Sequence, residues 1–287
     1  MGVQHNSLNA TVGGNSKRGM NYFRKTSTLL IVICLGCFVS NAQSYQWAKN
    51  IGGYDFDYGH SIAVDSDGNV YTTGSFFVIA DLDPGPDTNI SRAPGFDNNI
   101  FISKLNKNGN YVWAKGIGGV HWDEGYSIAL DAAGNVYTAG RFGDTVDFDP
   151  GAGIANLIAA GRRDIFISKL DSAGNFIWAK SVGDTTSERA LSIALDKAGN
   201  VYTTGSFLGT VDFDPGAGTS HLSASTSAPD IFVLKLVLQV ISSGQKKWEE
   251  QMMIWVRPLR WTAWGMYTPP AVLKALLTLT LEQAHKI

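Results

Sequence analysis

Three nearly identical stretches constrain this chain more than any other feature. SIAVDSDGNVYTTG occupies residues 61–74, SIALDAAGNVYTAG residues 127–140 and SIALDKAGNVYTTG residues 192–205. Their starts, Ser61, Ser127 and Ser192, lie 66 and 65 residues apart. A fixed period of that size means one supersecondary unit used repeatedly, each copy burying its apolar face on the next.

Within each stretch an alternating run meets Asp-x-x-Gly-Asn and then alternates again, which predicts a β-hairpin. The loop suits a type I turn followed by a left-handed residue. Asp65 or Asp131 caps the turn, and Gly68, Gly134 and Gly199 are expected at positive φ. A second hairpin of the same design follows, with strands at 165–170 and 176–180 around the turn 171–175, and its counterpart at 100–105, 106–110 and 111–115. The expected strands are 61–65, 70–76, 100–105 and 111–117, recurring one period later. Four strands in two hairpins are the content of one propeller blade. The fold class expected is all-β, a partial, open β-propeller of four-stranded antiparallel blades.

Unit one runs from about His60 to Gly118, unit two from Tyr126 to Gly183 and unit three from Leu191 to Leu236. Before them, residues 47–53 repeat the Trp-Ala-Lys strand of 113–119 and 178–183, the last strand of a unit whose first three are missing. Unit three should continue into another such strand, but the match stops after Leu236. Between the hairpins of each unit lies an insert reading Asp-x-Asp-Pro-Gly, at 81–85, 147–151 and 212–216. Proline and glycine disfavour strand pairing, so a loop or short edge excursion on one rim is expected there.

Residues 1–19 are polar and featureless, an unstructured lead or a stretch preceding a true start at Met20. Residues 20–42 combine basic Arg24 and Lys25, an apolar run at 29–39 and a small-residue end at Ala42. This is the pattern of a secretory signal peptide, and the apolar run is short for a bilayer span. Cleavage is expected after Ala42, giving a secreted or cell-surface protein beginning at Gln43. A lipoprotein reading at Cys37 is poorly served by Cys34 three positions earlier. Both cysteines fall in this segment, so the mature chain has neither a disulfide nor a cysteine-based metal site. A formal net charge of −2 with 17% charged residues gives no footprint for nucleic acid and no polybasic membrane contact.

The paired acids are the candidate metal ligands. Asp81 and Asp83, Asp147 and Asp149, and Asp212 and Asp214 each alternate in extended chain and share a face, a fragment of a Ca²⁺ loop. The further acids and bidentate Glu of a full loop are missing, and Asp before Pro-Gly is ordinary turn capping, so turn structure is the preferred reading. Asp65-x-Asp67-Gly also resembles such a loop, but Asp67 is replaced by Ala133 and Ala198. No cofactor is expected. Nucleophilic catalysis finds no Gly-x-Ser-x-Gly, and His60, His121 and His221 occupy non-equivalent places. Trp47, Trp113 and Trp178 with Tyr71, Tyr137 and Tyr202 could form a glycan-stacking platform. Packing between neighbouring blades accounts for them more simply, and Lys49, Lys115 and Lys180 then stand at solvated strand ends.

With SIAVDxxGNVYxTG followed by a second hairpin, residues 45–236 resemble the seven-bladed β-propeller repeat family of exported bacterial proteins. The resemblance implies a fold and an extracellular address, and no common activity. The departure is that a ring needs about four to eight blades and this chain holds fewer than four. The function expected is a non-enzymatic binding or scaffolding module for an unidentified protein or glycan, without a membrane span in the mature chain. The alternatives are a truncated product without function and a fragment of a propeller enzyme using rim carboxylates on polysaccharide.

Residues 237–287 change character: no Asp, no Asn, and four of the chain's eight Trp. The genetic code offers a reason. Regrouped one base back, the codons for residues 248–256 permit the Gly-Gly-x-x-x-Asp-x-Gly of residues 118–125. Those for 260–271 permit Val-Asp-x-x-Gly-Asn-Val-Tyr-Thr-Thr-Gly, those for 274–284 the Asp-Phe-Asp-Pro-Gly insert, and those for 239–247 the Trp-Ala-Lys strand. The tail therefore reads as a fourth unit in a shifted frame. Such a tail was never selected to pack on a blade. It is expected to lack the fourth strand of unit three, to leave an open, aggregation-prone edge, and to form an apolar helix over 271–286.

Overall fold

The turns at Asp65, Asn106, Asp131, Asp171 and Asp196 close in the same way. In a computed structural model, which describes residues 43–240 and 246–250, Gly134 N donates to Asp131 O at 3.0 Å and Asp131 N to Asn135 O at 3.1 Å. One Asp131 carboxylate oxygen accepts the N–H groups of Ala133 and Asn135, both at 3.0 Å. The other takes Asn135 Nδ2 at 2.8 Å and the Tyr137 hydroxyl at 3.3 Å. Asp65 and Asp196 repeat the arrangement. Gly68, Gly134 and Gly199 lie at φ 82°, 77° and 82°, a region that costs a residue with a Cβ.

The turns join strands into three antiparallel four-stranded sheets. Unit one has Tyr58–Val64, Val70–Phe77, Asn98–Leu105 and Tyr111–Ile117, in that spatial order. Unit two has Glu124–Leu130, Val136–Phe142, Asp164–Leu170 and Phe176–Val182. Unit three begins with Arg189–Leu195, Val201–Phe207 and Asp230–Val240. No helix occurs among the described residues. The fold is all-β, a partial β-propeller.

Each insert is more ordered than a loop. Thr145–Asp147 pairs with Asn156–Ile158 and Thr210–Asp212 with His221–Ser223, while Ile79–Asp81 pairs with both Ile90–Arg92 and Gly52–Gly53. Proline and glycine stand at the tips of these ribbons, where they break no pairing. All three inserts follow the second strand of their unit, at the end opposite the Asp-x-x-Gly-Asn turns.

The units pack face to face. One core layer joins Tyr71, Ile100, Ile102 and Trp113 of unit one to Ile128, Val136 and Phe166 of unit two. The next joins Tyr137, Ile165 and Ile167 to Ile193, Val201 and Phe232. Trp113 meets Tyr71 edge to face at 6.2 Å, and Trp178 meets Tyr137 at 6.1 Å. Each pair lies within one blade and is worth about 0.5–1.5 kcal/mol beyond the buried area, while Trp113 also reaches the next blade, where its indole N–H donates to Ser172 O.

One expectation for unit three needs correction. A fourth strand is present: Lys246–Glu250 pairs with the end of Asp230–Val240. Its register differs from that of the other units, however. In units one and two the fourth strand lies along the whole third strand, from Ile100↔Ile117 to Leu105↔Tyr111 and from Ile165↔Val182 to Leu170↔Phe176. In unit three the ladder begins at Leu236↔Glu250 and runs outward to Val240↔Lys246. The third strand continues straight where Asn106 and Asp171 turn the others. The apolar segment at 29–39, the cleavage position after Ala42 and the helix expected over 271–286 lie outside the described residues.

Candidate binding surface

The six candidate acids do not converge; each is used within its own insert. Asp147 Oδ1 accepts Asp149 N at 3.0 Å and Ala155 N at 2.8 Å, and Asp149 Oδ1 accepts Gly151 N at 2.8 Å. Asp81 takes Asp83 N and Asn89 N, and Asp83 takes Gly85 N. Asp212 takes Asp214 N and Ser220 N, and Asp214 takes Gly216 N. These are loop-closing bonds. The residue between each pair of acids is the anchor: Leu82, Phe148 and Phe213 are fully buried. Phe148 stands 5.5 Å from the Phe142 ring and 5.0 Å from the Phe166 ring.

A different set of residues gathers at the rim that bears the inserts. The first strand of each unit skips one residue in its pairing: Gly59↔Gly74 is followed by Ser61↔Thr73, Gly125↔Gly140 by Ser127↔Ala139, and Ala190↔Gly205 by Ser192↔Thr204. The bulged residues are His60, Tyr126 and Leu191, and a bulge re-aims its side chain. Neighbouring first strands are tied together by Ile128 N donating to Ser61 Oγ at 3.3 Å and Ile193 N to Ser127 Oγ at 3.1 Å. This brings His60 within 5.3 Å of the Tyr126 ring. Tyr58 and Phe56 extend the row, with near-parallel rings at 6.1 and 6.5 Å, and both are exposed.

Charge in this row is set by one ion pair. Arg141 Nε lies 2.6 Å from Glu124 Oε2, and the Tyr126 hydroxyl donates to the same oxygen. Burial alone would raise the Glu124 pKa, but Tyr126, Arg141 and Asn98 donate to the carboxylate and hold it below its ordinary value. A carboxylate held ionised by three donors is badly placed to act as a proton donor. Burial lowers the His60 pKa, and Glu124 only partly offsets this, so His60 stands neutral near pH 7. Around them Arg163 lies over the exposed Trp122 ring at 5.4 Å and Arg141 over Tyr126 at 5.7 Å. Further out, exposed His121 sits between Asp97 and Asp144 at 4.0 and 3.8 Å.

Two buried acids bind the junction loops from beneath. Asp123 accepts Gly119 N at 2.7 Å and Gly143 N at 3.0 Å. Burial outweighs these donors and raises its pKa to about 7. Glu188, at the same position of unit three, accepts from the Thr186 hydroxyl, and burial likewise raises its pKa to about 7.

The sequence reading singled out none of Glu124, Tyr126, Arg141, Arg163 or Trp122. The available signal was departure from the repeat. Arg141 stands where Ser75 and Ser206 occur, and Glu124 where Tyr58 and Arg189 occur.

Sheet order and unit packing define a chain of β-propeller blades, and comparison with known proteins points the same way. The sequence profile of the Beta-propeller repeat family matches residues 46–75. A 110-residue stretch is 33% identical to an uncharacterized WD repeat-containing protein, L264, of Acanthamoeba polyphaga mimivirus, covering 33% of this chain and 8% of that protein. A 159-residue stretch is 25% identical to the regulatory protein FlaEY of Caulobacter vibrioides, covering 53% of this chain and 17% of that protein. The chain spans less than a fifth of the length of either relative. These matches support placing it among β-propeller repeat proteins.

Proposed function

We propose that this chain is a non-catalytic binding module whose ligand meets the rim around His60 and Tyr126. The observation that carries the reading is the division of labour among residues. Those that recur in every unit are consumed in turns, core and junctions, whereas Phe56, Tyr58, His60, Trp122, Arg141 and Arg163 are unit-specific and gather on one rim. Exposed rings flanked by guanidinium groups suit a ligand with a flat apolar face and an anionic group, such as a uronate-bearing glycan or an acidic peptide loop. Export through residues 20–42 would place the module at the cell surface or outside the cell. The test is binding of acidic and neutral polysaccharides and acidic peptides to the intact chain and to a Tyr126→Ala/Arg163→Ala variant. The reading expects an acidic ligand to bind and the variant to lose it while circular dichroism shows the variant still folded. Undiminished binding by the variant would contradict it.

A second reading, that residues 237–287 translate a shifted frame of a fourth unit, is favoured by the off-register strand Lys246–Glu250. The gene sequence tests it: the frame one base back should spell the four repeat motifs in order, and their absence would end the idea.

A further inference from the structure

The rim of unit two carries more positive charge than its own residues neutralise. Arg141 stands on Val136–Phe142, Arg162 and Arg163 precede Asp164–Leu170, and Arg189 opens the first strand of unit three. Backbone bonds hold these elements together across the junction. Arg162 N donates to Thr186 O at 3.0 Å and Glu188 N to Arg163 O at 2.9 Å, and Arg163 pairs with Ser187. Unit two has a described neighbour on each side, so neither end of the repeat run shapes this rim.

Of these four cations only Arg141 has an anion. Its Nε and Nη2 both reach Glu124 Oε2, at 2.6 and 2.5 Å. The Tyr126 hydroxyl donates to the same oxygen and Asn98 Nδ2 to the other, so the Glu124 charge is already spent. Among the described residues Arg162, Arg163 and Arg189 reach no carboxylate.

The unpaired charges act on one another. Burial lowers the Arg163 pKa most, and the charges of Arg141 and Arg162 lower it further, yet a guanidinium stays protonated in neutral solution. Burial and the hydrogen bond to Glu124 raise the Tyr126 pKa, with Arg141 and Arg189 opposing them. Tyr126 is therefore where cations from three separate elements are felt together.

We propose, resting on the rim reading above, that the ligand is a glycan bearing tetrahedral oxyanion esters, sulfate or phosphate, held by Arg163 and Arg189 with a sugar ring against Trp122. Guanidinium groups arriving from different backbone elements suit an anion with three outward oxygens better than the two coplanar oxygens of a carboxylate. Trp122 is exposed beside the charges, with Arg163 over its ring. His60, 5.3 Å from the Tyr126 ring and neutral, is both donor and acceptor, as a sugar hydroxyl is.

Calorimetric titration of the full chain tests this with four probes: a dextran sulfate oligosaccharide, a phosphorylated mannan oligosaccharide, an oligogalacturonate and a phosphoserine peptide. The sulfated or the phosphorylated glycan is expected to bind about tenfold or more tightly than the oligogalacturonate, and the better of the two names the ester. Arg163→Ala and Arg189→Ala are each expected to weaken it about ten- to a hundredfold, and Arg163→Lys less. Lys197→Ala, an exposed charge in the turn at the opposite end, is expected to leave it unchanged. Circular dichroism identifies a variant that fails to fold, and the other arginine then decides. An oligogalacturonate or phosphopeptide bound at least as tightly, and lost in Arg163→Ala, would overturn the ester glycan and leave the rim reading standing. Binding of no probe would overturn both. Equal weakening by Lys197→Ala would show unspecific charge attraction and overturn the proposal.

Discussion

The Trp113 indole of unit one donates to the Ser172 carbonyl of unit two at 3.2 Å, and its ring lies against Gly174. A Cβ on Gly174 would come within 3.0 Å of Trp113 Cδ2, and its φ is +83°. Turn chemistry and blade packing therefore meet at one glycine. Gly199 has a similar φ of +82° but nothing within 4 Å of an added Cβ. Gly199→Ala should cost about 1 kcal/mol from backbone strain alone, and Gly174→Ala about 2–3 kcal/mol. Urea denaturation of the two variants checks the order, and equal losses would show that Trp113 does not depend on that contact.

The inserts should behave as anchored ribbons. Phe148→Ala empties a fully buried site and should cost about 3–5 kcal/mol. Asp149→Ala removes one exposed acceptor from Gly151 N and should cost about 0.5–1.5 kcal/mol. Millimolar Ca²⁺ should leave the melting temperature unchanged, because only a ligand that binds the native state raises it. A rise of several degrees would assign the paired acids to a metal.

Stability should peak in mildly acidic solution. Asp123 and Glu188 have folded pKa values raised to about 7, above an unfolded value of about 4. The native state then binds more protons than the unfolded state in that window, so stability falls as pH rises from about 4 to about 7. Asp65, Asp131 and Asp196 are shifted the other way. Burial opposes the shift, but hydrogen bonds from Asn69, Asn135 and Asn200 hold them below the ordinary value. Their contribution is present above about pH 4 and is lost in stronger acid. Denaturation midpoints from pH 2 to pH 8 should trace a maximum near pH 4. Asp123→Asn should flatten the limb above it, and an unaltered limb would show that Asp123 ionises normally.

What was legible in the sequence was whatever the repeat states more than once. Alternation and Asp-x-x-Gly-Asn placed the hairpins, and Tyr111–Ile117 has the expected bounds. The positive φ of Gly68, Gly134 and Gly199 followed from the turn chemistry. For the inserts the sequence points to a loop or a short edge excursion, and the structure takes the second form as paired ribbons; nothing in the sequence marks Phe148 as their anchor. The rim was missed for a different reason. The bulge at Tyr126 shows only in the pairing with the next strand, and the burial of Asp123 depends on loops contributed by neighbouring units. The off-register Lys246–Glu250 strand was likewise invisible to a comparison of repeats.

Amide hydrogen exchange on the intact chain tests the repeated four-stranded unit most directly. Strands paired on both edges should exchange slowest: Val70–Phe77, Asn98–Leu105, Val136–Phe142, Asp164–Leu170 and Val201–Phe207. Protection should therefore recur with the spacing of Ser61, Ser127 and Ser192, and fall at each Asp-x-x-Gly-Asn turn. Protection confined to one unit, or spread without that recurrence, would contradict a propeller built from three equivalent blades.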